Sequence, residues 1–99
     1  VEVRFEDPNL ERLETDPTYR GLDLADEVVK SFRRKIQFIR DAVDERDLRA
    51  MKSLHFEKLR GNRAHQRSIR LNKQWRLILE LETNPSGNVV VVVKIEDYH

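Results

Sequence analysis

Between residues 55 and 99 the chain holds two candidate imidazoles, His55 and His99, a carboxylate, Asp97, a phenol, Tyr98, and a dense row of arginines. Cutting RNA without a metal needs three things. A general base takes the proton of the 2′-hydroxyl as it attacks the adjacent phosphorus. A general acid protonates the leaving 5′-oxygen. Fixed positive charge meets the charge that grows on the phosphorane. Histidine suits both proton roles near neutral pH. Arginine suits the third, because its planar fork matches two phosphate oxygens. Tyr98 is able to orient the phosphate or stack on a base. Other chemistries lack their signatures: there is no Gly-rich phosphate loop and no nucleophile elbow. The gap between His55 and His65, in a chain without cysteine, is a poor zinc signal, so neither a metal nor an organic cofactor is expected.

The charge distribution points the same way. The formal net charge is +1, yet residues 52–76 carry eight Lys or Arg against one acid, Glu57. A local basic patch on a near-neutral chain suggests a polyanion site more than general stickiness. Lys58, Arg60, Arg63, Arg67, Arg70 and Lys73 are the candidates for RNA or phosphate contact. The plainer reading of the same stretch is a solvated sheet face. With no cysteine, a disulfide framework and thiolate metal sites are excluded, which fits a reducing cytoplasm. No apolar stretch approaches the roughly 20 residues of a membrane span, and no signal-peptide pattern opens the chain.

The elements that must hold these residues follow from periodicity. The length of 99 residues suits a single domain, 1–99. In "VEVRFED", Val1, Val3 and Phe5 alternate with Glu2, Arg4 and Glu6, the pattern of a half-buried strand. Asp7 then caps a short helix with Pro8 at its first position and Leu10 and Leu13 on its apolar edge. Pro17 and Gly21 break it. Asp23 is expected to start the main helix, with Asp26 three residues on. Its core face is Ala25, Val28, Val29, Phe32, Ile36, Ile39 and Val43, and Arg33, Arg34, Lys35 and Arg40 lie opposite. A second short helical piece runs from Asp47 through Met51. "QRSIRLN" and "WRLILELE" alternate as strands, the second with Trp75, Leu77, Leu79 and Leu81 on one face and Arg76, Ile78, Glu80 and Glu82 on the other. "TNPSGN" is a turn, and "VVVVVKI" reads as a central strand covered on both sides or closely flanked. The last three strands form an antiparallel meander, and the first returns beside the valine strand. The expected fold is α+β, ordered β-α-α-β-β-β, with helices packed on one face of a small mixed four-stranded sheet. The uncovered face would present Arg70, Arg76 and the chain end.

At "LH…LRGNR", "SIRLNKQWRLI" and the terminal "EDYH" the chain resembles the HigB toxins of the RelE/ParE superfamily, most clearly over residues 53–99. The resemblance implies a RelE-like fold and the toxin half of a type II toxin–antitoxin pair. It implies a ribosome-dependent endonuclease that cleaves messenger RNA in the small-subunit decoding site. By position, His55 matches the family's histidine and Arg60 the basic residue before the glycine, here Gly61. Arg76 matches the arginine after the tryptophan, and Asp97, Tyr98 and His99 match the terminal triad. Four residues, "FEKL", separate His55 from Arg60 where the family often has two, so Lys58 is an alternative phosphate contact. The resemblance further implies a HigA-like helix-turn-helix antitoxin, with DNA contacted only through that partner; no membrane partner is expected, and the free toxin is expected to be monomeric.

Two other functions fit the same fold, because fold does not fix function. One is a ParE-like poison of DNA gyrase, which needs no proton-transfer groups of its own. The other is a non-catalytic RNA- or protein-binding module. Individual residues also have plainer readings. His65 decorates the basic face. Trp75 shares its strand face with three leucines and belongs to the core. Arg33, Arg34 and Lys35 form a solvated helix face or meet ribosomal RNA. Arg67 and Arg70 contact RNA or pair with Glu80. The last three residues are a frayed terminus, or a site held by a rigid strand.

Overall fold

The computed structural model describes residues 1–20, 23–85 and 87–97. Strand β1 (Glu2–Phe5) is followed by helices α1 (Pro8–Thr15), α2 (Asp26–Asp41) and α3 (Glu45–Ala50). Then come strands β2 (Glu57–Lys58), β3 (Gln66–Arg70), β4 (Trp75–Asn84) and β5 (Gly87–Asp97). Short 3-10 turns occupy Lys52–Leu54 and Gly61–Arg63. The sheet order is β1-β5-β4-β3-β2; β1 runs parallel to β5 and the other pairs are antiparallel.

The α+β class, the returning first strand, the meander and the helices on one face are as the periodicity predicts. The strand count rises from four to five. The extra strand, Glu57–Lys58, has one residue on each face, too few to show an alternation. It matters nonetheless, because it pairs Glu57 with Ser68 and Lys58 with Arg67 and so ties the His55 loop to the sheet edge. The short third helix begins at Glu45, two residues before the expected Asp47, because the Asp44 side chain accepts the Arg46 N–H at 2.9 Å and caps it.

The main helix starts at Asp26 rather than Asp23. Ala25 is its cap position and offers no side-chain bond, while Asp26 and Glu27 meet the positive end of the helix. Ala25 is therefore exposed. The helix ends at Asp41, where the Ala42 N–H closes on Phe38 and Ile39 carbonyls. Val43, expected on the core face, lies beyond that end and is 79% exposed. Val28, Val29, Phe32, Ile36 and Ile39 recur at three- and four-residue steps and are buried against Leu10, Leu13, Ile69, Leu77, Leu79, Val90 and Val92. Arg33 is a structural link: its Nε donates to the Leu13 carbonyl at 2.9 Å, satisfying a group at the end of α1. Arg40 grips Glu14 through two hydrogen bonds of 2.7 and 2.8 Å. Lys35 lies over the Phe38 ring, and burial pushes its ammonium pKa down.

Strand β5 is central, as its valines require. Val90 and Val92 face the helices, and Val89, Val91 and Ile78 are equally buried on the other side. Among the described residues no helix covers that second face. Long side chains do: Arg4 on β1 bonds Glu82 on β4 across β5, and Gln66 Nε2 donates to Glu80 at 3.1 Å. One irregularity sets the chemistry of the strand's end. Ile78 pairs with Lys94 but Leu79 pairs with Val92, so Val93 is an extra residue, a bulge. Beyond it the alternation is reset. Glu96 pairs with Arg76, and Asp97 with Trp75.

Candidate functional site

The basic stretch and the end of β5 meet at one end of the sheet face that carries no helix. Arg70 on β3, Arg76 on β4 and Glu96 on β5 lie in one cross-strand row. Period-two alternation aims all three at the same side. Arg63, from the turn before β3, reaches over this row. Its Nη2 and Nη1 donate to the two Glu96 carboxylate oxygens at 2.9 and 3.1 Å, and its Nε donates to Gln66 Oε1 at 3.1 Å. Lys94 Nζ stands 3.1 Å from the same carboxylate. The Arg63 hydrogen bonds, aided by Lys94, hold the Glu96 pKa below the usual carboxylate range despite partial burial.

His55 is placed by the residues around it. Leu54 is fully buried, and the half-buried Phe56 packs against the core with the Arg49 guanidinium 5.4 Å from its ring centroid. Between these anchors the chain must reverse. His55 does so in the left-handed region, φ 47° and ψ 51°, a conformation that costs a non-glycine residue roughly 1–2 kcal/mol. Its N–H closes the 3-10 turn on the Lys52 carbonyl at 3.1 Å, and the residue itself is exposed. Its carbonyl accepts from Arg76 Nη1 at 3.4 Å. The strand that carries Arg76 and the loop that carries His55 are thus in direct contact.

The other predicted residues separate into groups. Lys58, Arg60 and Lys73 are exposed and, among the described residues, carry no ion pair. Arg70 Nε donates to the Asn72 carbonyl at 3.2 Å. Arg67 faces the helix side: its side chain is 16% exposed, its Nε lies 3.6 Å from Glu45, and its Nη1 donates to the Ala64 and Gln66 carbonyls. Asp97 stands on Trp75's side of the strand and accepts from Gln74 Nε2 at 3.0 Å. Tyr98 and His99 lie outside the described residues. His65 is 3.6 Å from Glu80. The partner that sequence reasoning missed is Glu96; nothing in "VVVVVKIED" marks the bulge that turns it toward Arg76. Among the described residues no cluster of His, Cys, Asp or Glu is arranged to hold a metal. The arrangement can grip a phosphate with guanidinium groups held by a rigid sheet, beside an exposed imidazole.

Comparison with known proteins gives this geometry a family. A search of curated proteins finds none that matches. Among solved structures, the chain is similar to the YoeB/ParE toxin from Agrobacterium tumefaciens, with TM-score 0.57, 14% identity and full coverage of both chains. It is also similar to a chain of the RelBE2 toxin–antitoxin complex from Mycobacterium tuberculosis, with TM-score 0.51 and 16% identity over 98% of this chain and 96% of that one. At these identities the likeness is one of fold. The model of the family described as the RelE-like toxin of the type II toxin–antitoxin system HigB matches residues 3–99. That match spans nearly all of the sequence, and the chain therefore belongs to the HigB-like family of RelE-like toxins.

Proposed function

We propose that this toxin is a ribosome-dependent messenger RNA endonuclease of the cytoplasm. It cuts messenger in the small-subunit decoding site by metal-independent acid–base chemistry. A HigA-like helix-turn-helix antitoxin neutralises it, and DNA is met only through that partner. The observation that carries the reading is the contact between Arg76 and the His55 backbone carbonyl, 3.4 Å, which joins the exposed His55 loop to the strand that carries the cationic row. In this reading His99 or Asp97 takes the 2′-hydroxyl proton. His55 protonates the leaving oxygen or positions the phosphate. Arg76 and Arg60 meet the phosphorane charge, with Lys58, Arg70 and Lys73 adding to the basic surface, Arg63 neutralising Glu96 beside them, and Tyr98 orienting the nucleotide. Lys58, Arg60 and Lys73 support it, since their charge is available to a polyanion.

The test is cell-free translation with primer extension on the messenger. The full chain is expected to give ribosome-dependent cuts, and a folded chain ending at Asp97 none. Equal activity of the shortened chain would remove Tyr98 and His99 from the chemistry. Intact messenger together with inhibited supercoiling would instead assign the fold to gyrase poisoning.

A further inference from the structure

We propose that the groove between the end of α2 and α3 is where the antitoxin docks. A basic, amphipathic segment of that partner lays apolar side chains on Phe38, Leu48, Met51 and Leu54 and sets Lys or Arg against Asp41 and Asp47. The proposal rests on the toxin–antitoxin reading above and adds to it a place and a chemistry.

Three observations converge on this groove. It is an open cavity of about 460 Å³ with a floor of core side chains, Leu48 and Leu54 among them. The large apolar side chains that are exposed among the described residues are Val43, at 79%, and Met51, at 38%. Met51 lines the groove, and Val43 directly follows Ala42, which also lines it. Exposed apolar surface gathered at one place on a small chain marks an interaction site.

The charge on the rim says what kind of partner fits. Nearby acids already have cations: Asp44 pairs with Arg46 at 2.9 Å and Glu45 with Arg49 at 2.6 Å. Among the described residues neither Asp41 nor Asp47 lies within ion-pair distance of a Lys or Arg, although Arg46 still attracts Asp47 from farther off. Asp41 accepts from Gln37 Nε2 at 3.0 Å, and Asp47 accepts the Val43 N–H at 2.8 Å. Two carboxylates beside an apolar floor repel nucleic acid and favour a cationic amphipathic peptide. The groove also lies on the helix side of the sheet, away from the row of Arg70, Arg76 and Glu96.

The test titrates the purified product of the reading frame adjacent to this one into the toxin by calorimetry. The double variant Asp41→Lys/Met51→Lys is expected to bind at least about 10-fold more weakly than wild type, with unchanged circular dichroism. Asp23→Lys, which repeats the Asp41 charge reversal before the other end of α2, is expected to bind as wild type does. Val43→Lys, which alters no helix and no buried contact, gives the same reading if the double variant fails to fold. Equal affinity of wild type and groove variants overturns the docking site and leaves the pairing intact. If the adjacent product neither binds nor neutralises wild type, the toxin–antitoxin pairing falls instead. If the groove variants lose only self-association in sedimentation, the groove belongs to a second copy and the antitoxin assignment is overturned.

Discussion

Arg63 and Glu96 are 33 residues apart in the chain, and two parallel hydrogen bonds of 2.9 and 3.1 Å join them across the end of the sheet. The pair fastens the loop between β2 and β3 to the end of β5. Arg63, read from the sequence as a phosphate contact, is thereby committed to a carboxylate. It stands beside the cationic row and neutralises the acid that faces it. An unpaired Glu96 on this face would repel phosphate.

Removing either partner therefore has two expected effects. A double-mutant cycle on Arg63→Ala and Glu96→Ala gives a coupling of about 0.5–1 kcal/mol, since water at this edge screens the pair. Arg63→Ala also lowers RNA affinity more than Glu96→Ala, because it leaves a carboxylate on the binding face with only Lys94 to offset it. The pH dependence follows from the depressed Glu96 pKa. Its stabilisation is present above the ordinary carboxylate range and is lost as pH falls through the lower folded value. Urea denaturation across about pH 3–7 checks this: the gap between wild type and Glu96→Ala closes at the acid end.

His55 carries a backbone cost that glycine would not. The substitution His55→Gly relieves the left-handed strain but raises the entropy of the unfolded chain, which offsets part of the gain. Stability is expected to stay level or rise by about 1 kcal/mol in chemical denaturation. Messenger cleavage in the cell-free assay is expected to fall about 100-fold, the usual scale for a lost acid–base group. Cleavage that survives in a stabilised variant would show that the imidazole has no part in it.

The cations of the basic stretch are predicted to behave differently from one another. Lys58→Ala, Arg60→Ala and Lys73→Ala each weaken RNA binding without altering stability. Each lowers the salt slope of log affinity by about 0.7–0.9, the effect of one lost phosphate contact. Arg67→Ala leaves the slope unchanged and destabilises the fold by about 1 kcal/mol, because its guanidinium holds the Ala64 and Gln66 carbonyls and faces Glu45. Binding isotherms at several salt concentrations, paired with melting curves, separate the two classes.

The α+β layering is legible in the residues alone, because burial follows the two periods of the backbone. Leu77 and Leu79 lie on one face by period two, and Phe32, Ile36 and Ile39 on another by steps of three and four. The terminal peptide and the arginine after Trp75 carried enough identity to reach the family. Which acid meets which cation emerges only when the elements pack together. Helix α2 stops at Asp41 and leaves Val43 in solvent, because its end is set by where the Ala42 N–H finds carbonyls. Arg67 lies under α3 rather than on the RNA-facing side, a consequence of which strand face α3 covers. Above all, a single unpaired residue, Val93, resets the alternation of β5 and turns Glu96 rather than Asp97 toward Arg76. A bulge depends on the register of two strands that meet through space, and the composition of neither strand alone encodes it.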